Sequence, residues 1–181
     1  MKIAIAGAGG LGSNIADILL RSGVKEFFIY DFDKVEKSNL NRQFYFEDQI
    51  GKYKADCIKE NLEKIDSTCR IKSMVIKVEK NNLKELFDHC DVIIEAFDKA
   101  EYKSMLVEEY LNSDKLIVSA CGIADFDLEH VEVKKFAKNC FVVGDFKKDI
   151  KDYATYSTKV IFISSIMANI VLKEGGYYDK K

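Results

Sequence analysis

The chain has 181 residues, the size of one large domain, and 48% of them are hydrophobic, 12% aromatic and 32% charged, a mixture that excludes a disordered chain. Its 28 Lys and Arg against 30 Asp and Glu leave a formal net charge of −2 at pH 7, which argues against a net-basic nucleic-acid binder. Apolar runs such as 160–165 and 166–172 are broken by Ser and Asn and are too short to span a bilayer, and the first apolar run meets Gly7 too early to be a signal-peptide core, so the chain reads as cytoplasmic.

Residues 2–6 form a short apolar run ending in glycine, the pattern of a buried parallel strand. Over 10–22, Leu11, Ile15, Ile18, Leu19 and Ser22 recur at helical spacing until Gly23 stops the helix. Residues 27–30 read as a second buried strand ending at Asp31. After an irregular polar stretch, 51–64 is helical, with Ala55, Ile58, Leu62 and Ile65 on one face. A strand over 71–78, a short helix over 82–88, a strongly buried strand over 91–95, a helix over 99–111 and a strand over 116–119 follow. Strands alternating with helices on short links predict a parallel α/β sheet with right-handed crossovers.

Beyond about residue 126 two strands, 130–134 and 140–143, come without a long helix between them, which predicts an antiparallel extension of the sheet. A helix over 157–173 closes the pattern. Its residues Val160, Ile161, Ile163, Ile166, Met167, Ile170 and Val171 are apolar nearly all round, so burial on more than one side is expected, against the sheet or a second subunit. The tail 174–181 is polar and reads as frayed. With no proline, no Gly/Ser-rich linker and no internal repeat, the chain reads as one domain, divided into a nucleotide-binding part (1–125) and an antiparallel extension with the last helix (126–181).

Cys57, Cys69, Cys90, Cys121 and Cys140 are odd in number and widely spread, with no Cys-x-x-Cys pair and no Cys/His cluster. This speaks against a structural zinc site and for a reducing compartment. His89 and His130 read as surface or packing residues.

Gly7-Ala8-Gly9-Gly10-Leu11-Gly12 lies between the first strand and the first helix. Glycines there permit a tight turn and let backbone N–H groups meet a phosphate at a helix N-terminus. Asp31, at the end of the second strand, is placed to bond ribose hydroxyls. To this point an NAD(P)-dependent oxidoreductase fits equally well. The run from Asp31 to Gln43 and the segment Ile50-Gly51-Lys52-Tyr53-Lys54-Ala55 then add Arg42 and Lys54 where a polyphosphate would protrude, cations a nicotinamide does not use. Lys34, Lys37 and Lys52 read as solvated charges. Glu95-Ala96-Phe97-Asp98 brings a carboxylate to the carboxyl end of a central strand, where Asp98 is also a candidate cap of the 99–111 helix.

Together, the glycine loop, the Asp31–Gln43 run, the 50–55 segment and the 95–103 segment resemble the sulfur-carrier adenylyltransferases ThiF and MoeB, relatives of the enzymes that activate ubiquitin-like proteins. The likeness runs motif by motif over residues 1–125, is nearest to the short form of ThiF, and extends through Gly144-Asp145-Phe146 into the last helix. It implies a Rossmann-like ATP-binding fold and a mixed sheet with helices on both faces. It also implies that Gly7, Gly9, Gly10, Leu11, Gly12, Asp31, Asp33, Asn39, Arg42 and Lys54 contact the nucleotide, with Arg42, Lys54 and Asp98 catalytic and Asp98 positioning Mg²⁺.

The activity implied is ATP-dependent adenylation of the C-terminal Gly-Gly carboxylate of a ThiS-like β-grasp sulfur carrier for thiamine biosynthesis, releasing pyrophosphate, in a homodimer without zinc, membrane or nucleic acid. A MoaD-like carrier would enter the same groove. Larger relatives supply an arginine from the partner subunit's N-terminal helix, and this chain opens on its first strand. Cys121 and Cys140 read as small buried hydrophobes rather than sulfur-handling thiols. A non-catalytic binding module of the same fold is the remaining alternative.

Overall fold

The computed structural model describes residues 1–177. In chain order its regular elements are β1 (Ile3–Ala6), α1 (Gly10–Arg21), β2 (Glu26–Asp31), α2 (Lys54–Ile65), β3 (Arg70–Val75), α3 (Leu83–Phe87), β4 (Val92–Glu95), α4 (Ala100–Tyr110), β5 (Leu116–Ala120), β6 (Glu132–Ala137), β7 (Cys140–Gly144) and α5 (Ser157–Glu174). Every predicted element is present, with ends displaced by a few residues. The expected fraying of 174–181 falls partly on 178–181, which lie outside the described residues; Glu174 itself closes α5.

The seven strands form one sheet in the order β3-β2-β1-β4-β5-β7-β6. Strands β1 to β5 are parallel to their neighbours, and β7 is also parallel to β5. Only β6 runs antiparallel, paired with β7. The extension is therefore a hairpin whose second strand enters the sheet first. Cys140, Val143 and Gly144 on β7 are buried, whereas Glu132–Lys135 and Phe136 on β6 are exposed. The apolar strand thus takes the inner place and the charged one becomes the edge.

Alternation along the strands serves two cores. Ile3, Ile5, Phe27, Ile29, Val92, Ile94, Val118, Ala120 and Val143 face α1, α2 and α5. Ala4, Ala6, Phe28, Tyr30, Ile93 and Ile117 face α3 and α4. A sheet covered on both faces accounts for strands that read as continuous apolar runs. Helix α5 lies against α1 and β5. Its Ile161 and Phe162 point outward, 43% and 40% exposed: within the chain one side of α5 is buried and the other carries Ile161, Phe162, Ser165 and Asn169.

His89 packs edge-on against Phe28 at 4.5 Å between ring centroids, as a packing residue. All five cysteines are free. Cys140 is buried, and burial pushes its thiol up from the ordinary value. Cys121 is exposed, which corrects its reading as a buried hydrophobe: it follows the last residue of β5 at the carboxyl edge of the sheet, where side chains leave the core. Among the described residues no helix is long and apolar enough to cross a membrane.

Candidate functional site

β1 and β4 are neighbours, but the chain leaves β1 into α1 on one face and β4 into α4 on the other. Diverging connections open a crevice at the carboxyl ends of these two strands, the place where α/β sheets of this kind bind ligands. Gly7 and Ala96–Asp98 border it.

The glycines are required by close approaches. Gly7 has φ +97°, and a Cβ there would stand 2.8 Å from the carbonyl oxygen of Ala96. A Cβ on Gly12 would fall 1.9 Å from the carbonyl oxygen of Gly7, so α1 leaves the loop in backbone contact with it. At Gly9, by contrast, the nearest atom to a Cβ would be Gln43 Nε2 at 3.9 Å, which leaves room over the start of α1 for a phosphate-sized group. Leu11 is 4% exposed in the core, so only its main chain can serve a ligand.

Asp31 is buried and anchored. Its Oδ2 accepts the Ala8 N–H at 2.6 Å and its Oδ1 the Asp33 N–H at 2.7 Å. Burial pushes its carboxyl up from the ordinary value, opposed by these two amides and by Lys54. A carboxylate has about four acceptor positions, so a ribose hydroxyl can still be served. Lys54 opens α2, where a cation opposes the helix dipole. Its largely buried ammonium is held 3.3 Å from Asp33 Oδ2, and its N–H donates to the Asp33 carbonyl at 2.9 Å. Asp33 is thus the counter-ion of Lys54. Being acceptor-only, it suits a ribose hydroxyl rather than a phosphate.

Arg42 lies over the first turn of α1, its Cγ 3.8 Å from where a Cβ on Gly10 would be, and its guanidinium donates to Ser38 O at 2.9 Å and Asn41 Oδ1 at 2.8 Å. Asn14, on α1, donates to the carbonyls of Gly10 and Arg42 at 2.6 and 2.8 Å and so ties this loop to the helix start. Asn39 is buried, and its Oδ1 accepts the Glu36 N–H at 3.0 Å, closing the turn that leads to Arg42. That bond shapes the loop that carries Arg42.

Asp98 is exposed and two residues beyond Ala96. It does not cap α4: the residue at the cap position is Lys99, because the turn after β4 runs one residue longer than the sequence pattern suggests. The carboxylate of Asp98 is accordingly left for other duty. Among the described residues no group of three or more His, Cys, Asp or Glu is placed to hold a metal. Mg²⁺ ordinarily takes one or two protein oxygens and the rest from phosphate and water, so a lone exposed Asp98 beside the glycine loop fits that ion.

Two residues were missed in the sequence. Tyr45 is buried, and its hydroxyl donates to the Ala8 carbonyl at 2.6 Å. With Asp31 on the Ala8 amide, both ends of this residue's polar backbone are fixed. Glu95 is fully buried at the end of β4. It accepts the Phe97 N–H at 2.8 Å and bonds Ser119 and Lys103, which sets the turn carrying Asp98. A glutamate closing a Val-Ile-Ile run is a visible signal, since a charge buried there must be paired. No linear signal marks Tyr45.

The sheet order, the switch point and the glycine loop define a Rossmann-like α/β protein. The chain belongs to the ThiF family, whose pattern it matches over residues 1–173. It is 32% identical over 125 residues to the tRNA threonylcarbamoyladenosine dehydratase of Bacillus subtilis (strain 168), covering 68% of this chain and 49% of that protein. It is also 32% identical over 123 residues to the adenylyltransferase and sulfurtransferase UBA4 of Eremothecium gossypii, covering 67% of this chain and 28% of that one. The chain therefore spans half or less of the length of these relatives. Its structure matches E. coli tRNA N6-threonylcarbamoyladenosine dehydratase, TcdA, in complex with ATP, with a TM-score of 0.84 at 20% identity, over 98% of this chain and 88% of that one. At that identity the likeness establishes the fold.

Proposed function

We propose that the chain is an ATP-dependent adenylyltransferase that activates the C-terminal Gly-Gly carboxylate of a small ubiquitin-like sulfur carrier, ThiS-like, and releases pyrophosphate. The observation that supports this most is the placing of Arg42 over the first turn of α1 and Lys54 at the start of α2, with Asp98 unclaimed on the next strand end. A terminal carboxylate has a pKa of about 3.5 and is already ionised, so the reaction needs no general base. Its difficulty is the approach of one anion to another. The glycine-loop amides, Arg42 and Lys54 offset phosphate charge and align the attack on the α-phosphorus. Mg²⁺ held by Asp98 would supply Lewis-acid stabilisation of the charge developing on the phosphates.

A second reading keeps the chemistry and changes the carboxylate. The relatives named for tRNA threonylcarbamoyladenosine dehydration favour a tRNA-borne threonylcarbamoyl group, whose carboxylate would be activated in the same way. Pyrophosphate release with ATP–Mg²⁺ and a Gly-Gly carrier, against ATP–Mg²⁺ and such a tRNA, separates the two. ATP binding without turnover on either substrate would mean a non-catalytic module, and tighter binding of NADH than of ATP would mean an oxidoreductase.

Arg42→Ala should weaken ATP binding and slow pyrophosphate release, by about 1.5–3 kcal/mol for a charge-assisted contact. The melting temperature of the nucleotide-free protein should stay nearly unchanged. An equal loss of fold stability would reassign Arg42 to holding the Ser38–Asn41 turn. The reading includes a homodimer that covers the outward Ile161 and Phe162 of α5. Light scattering should then give about twice 20.7 kDa, and a mass near 20.7 kDa at micromolar concentration removes the dimer.

A further inference from the structure

The side chain of Gln43 is placed beside the glycine loop without a partner there. Its main chain is fixed: the Gln43 N–H donates to Asn39 O at 2.9 Å, its carbonyl accepts the Tyr45 N–H at 2.8 Å, and the next amide, of Phe44, donates to Ser13 Oγ on α1 at 3.0 Å. The amide group is not fixed by hydrogen bonds. Its Oε1 is sealed from solvent with no partner among the described residues, and its Nε2 stands 3.9 Å from where a Cβ on Gly9 would be. A buried polar atom left unpaired costs free energy, and such atoms are scarce in folded proteins. With its oxygen tucked inward, the amide turns its Nε2 donor toward Gly9, where the loop leaves space.

We propose that Gln43 is a phosphate-binding residue: with a nucleotide on the loop, its Nε2 donates to a non-bridging phosphate oxygen above Gly9. This rests on the nucleotide reading above. The direction of the amide follows from charge. Phosphate oxygens are acceptors only, so the donor end faces them. Turning the amide over would set a carbonyl oxygen against the phosphates and seal an unbonded NH₂ inside. Arg42, one residue earlier, brings charge over Gly10, and Gln43 brings a neutral, directional donor over Gly9. Together they hold a phosphate from the side opposite the α1 amides.

Gln43→Met keeps length and removes the donor together with the sealed oxygen. Binding of ATP, AMP and adenosine is measured by titration calorimetry on the full chain, with the melting temperature of the nucleotide-free protein alongside. The expected result is affinity for ATP and AMP about tenfold or more weaker, adenosine affinity unchanged, and a melting temperature equal to or above the parent's. Gln43→Glu sets a carboxylate against the phosphates and should lose more ATP affinity than the Met variant, with the deficit shrinking as salt is added. ATP binding to the Met variant within twofold of the parent overturns the proposal. So does an equal loss for adenosine, which would make Gln43 a wall of the nucleoside pocket, and so does a lower melting temperature with ATP affinity kept, which would make it structural. A parent chain that binds none of the three overturns the nucleotide reading itself, and this proposal with it.

Discussion

Replacing Asp98 with asparagine should lower carrier adenylation by about 10²–10³-fold, the scale of losing one electrostatic contact to the transition state, while ATP affinity changes only a few-fold. The asymmetry follows from geometry. On the proposed function the glycine loop, Asp31, Arg42 and Lys54, on the other side of the crevice, would still hold the nucleotide. Asp98 stands alone on the β4 side, on a turn made rigid by the buried Glu95 and its bonds to Phe97, Ser119 and Lys103. Because Lys99 and not Asp98 occupies the cap position of α4, the asparagine variant should melt at the parent's temperature. Single-turnover pyrophosphate release, with ATP binding measured separately, checks both halves. Adenylation at the parent rate would remove Asp98 from the catalytic set, and a coordinate loss of ATP binding would make it a nucleotide-anchoring residue.

Gly12→Ala should be the most damaging single-methyl substitution in the loop. The added Cβ would lie 1.9 Å from the Gly7 carbonyl oxygen, and that atom is backbone with nowhere to go, since the Gly7 N–H is itself bonded to Tyr30 O at 2.8 Å. Either α1 moves away from β1 or the loop opens. Overpacking of this kind costs about 1–3 kcal/mol and more where backbone must shift, which for a chain of this length corresponds to a melting temperature lower by about 2–12 °C. On the proposed function ATP binding should fall as well, because the displaced residues are those whose amides would face the phosphates. The contrasting control is Gly23→Ala: its φ of +95° makes the substitution strained, but nothing lies within 4 Å, so it should destabilise modestly and leave ATP binding intact. A Gly12→Ala variant with the parent's melting temperature and ATP affinity would show that the close approach of α1 to the loop is not required.

Much of the site was legible because its signals are local. Gly7 to Gly12, Asp31 and Asp98 each sit at the carboxyl end of an apolar strand, so a strand pattern and a residue type are enough to bring them to one edge of the sheet. Arg42 and Lys54 were legible as excess charge on that edge. Other parts depend on contacts between distant segments. Asn39 was assigned to the triphosphate, and in the structure its Oδ1 closes a turn onto Glu36. Asp33 was grouped with the nucleotide contacts, and it is the counter-ion of Lys54. Tyr45 reaches Ala8 across 37 positions, and Glu95 reaches Ser119 across 24.

The sequence by itself determined the alternating α/β order, the strands buried on both faces and the glycine turn at the head of α1, because periodicity and the steric freedom of glycine act within a few residues. It also marked the final helix as too apolar for ordinary surface. Only the tertiary structure decided that β7 enters the sheet beside β5 and leaves β6 as the edge, that Ile161 faces outward while Ile163 is buried, that Cys121 is exposed, and that Asp98 is released from capping α4. Each of these turns on which surfaces meet after the chain has folded back on itself, and that is set by the competition of all apolar faces for one sheet rather than by any segment alone.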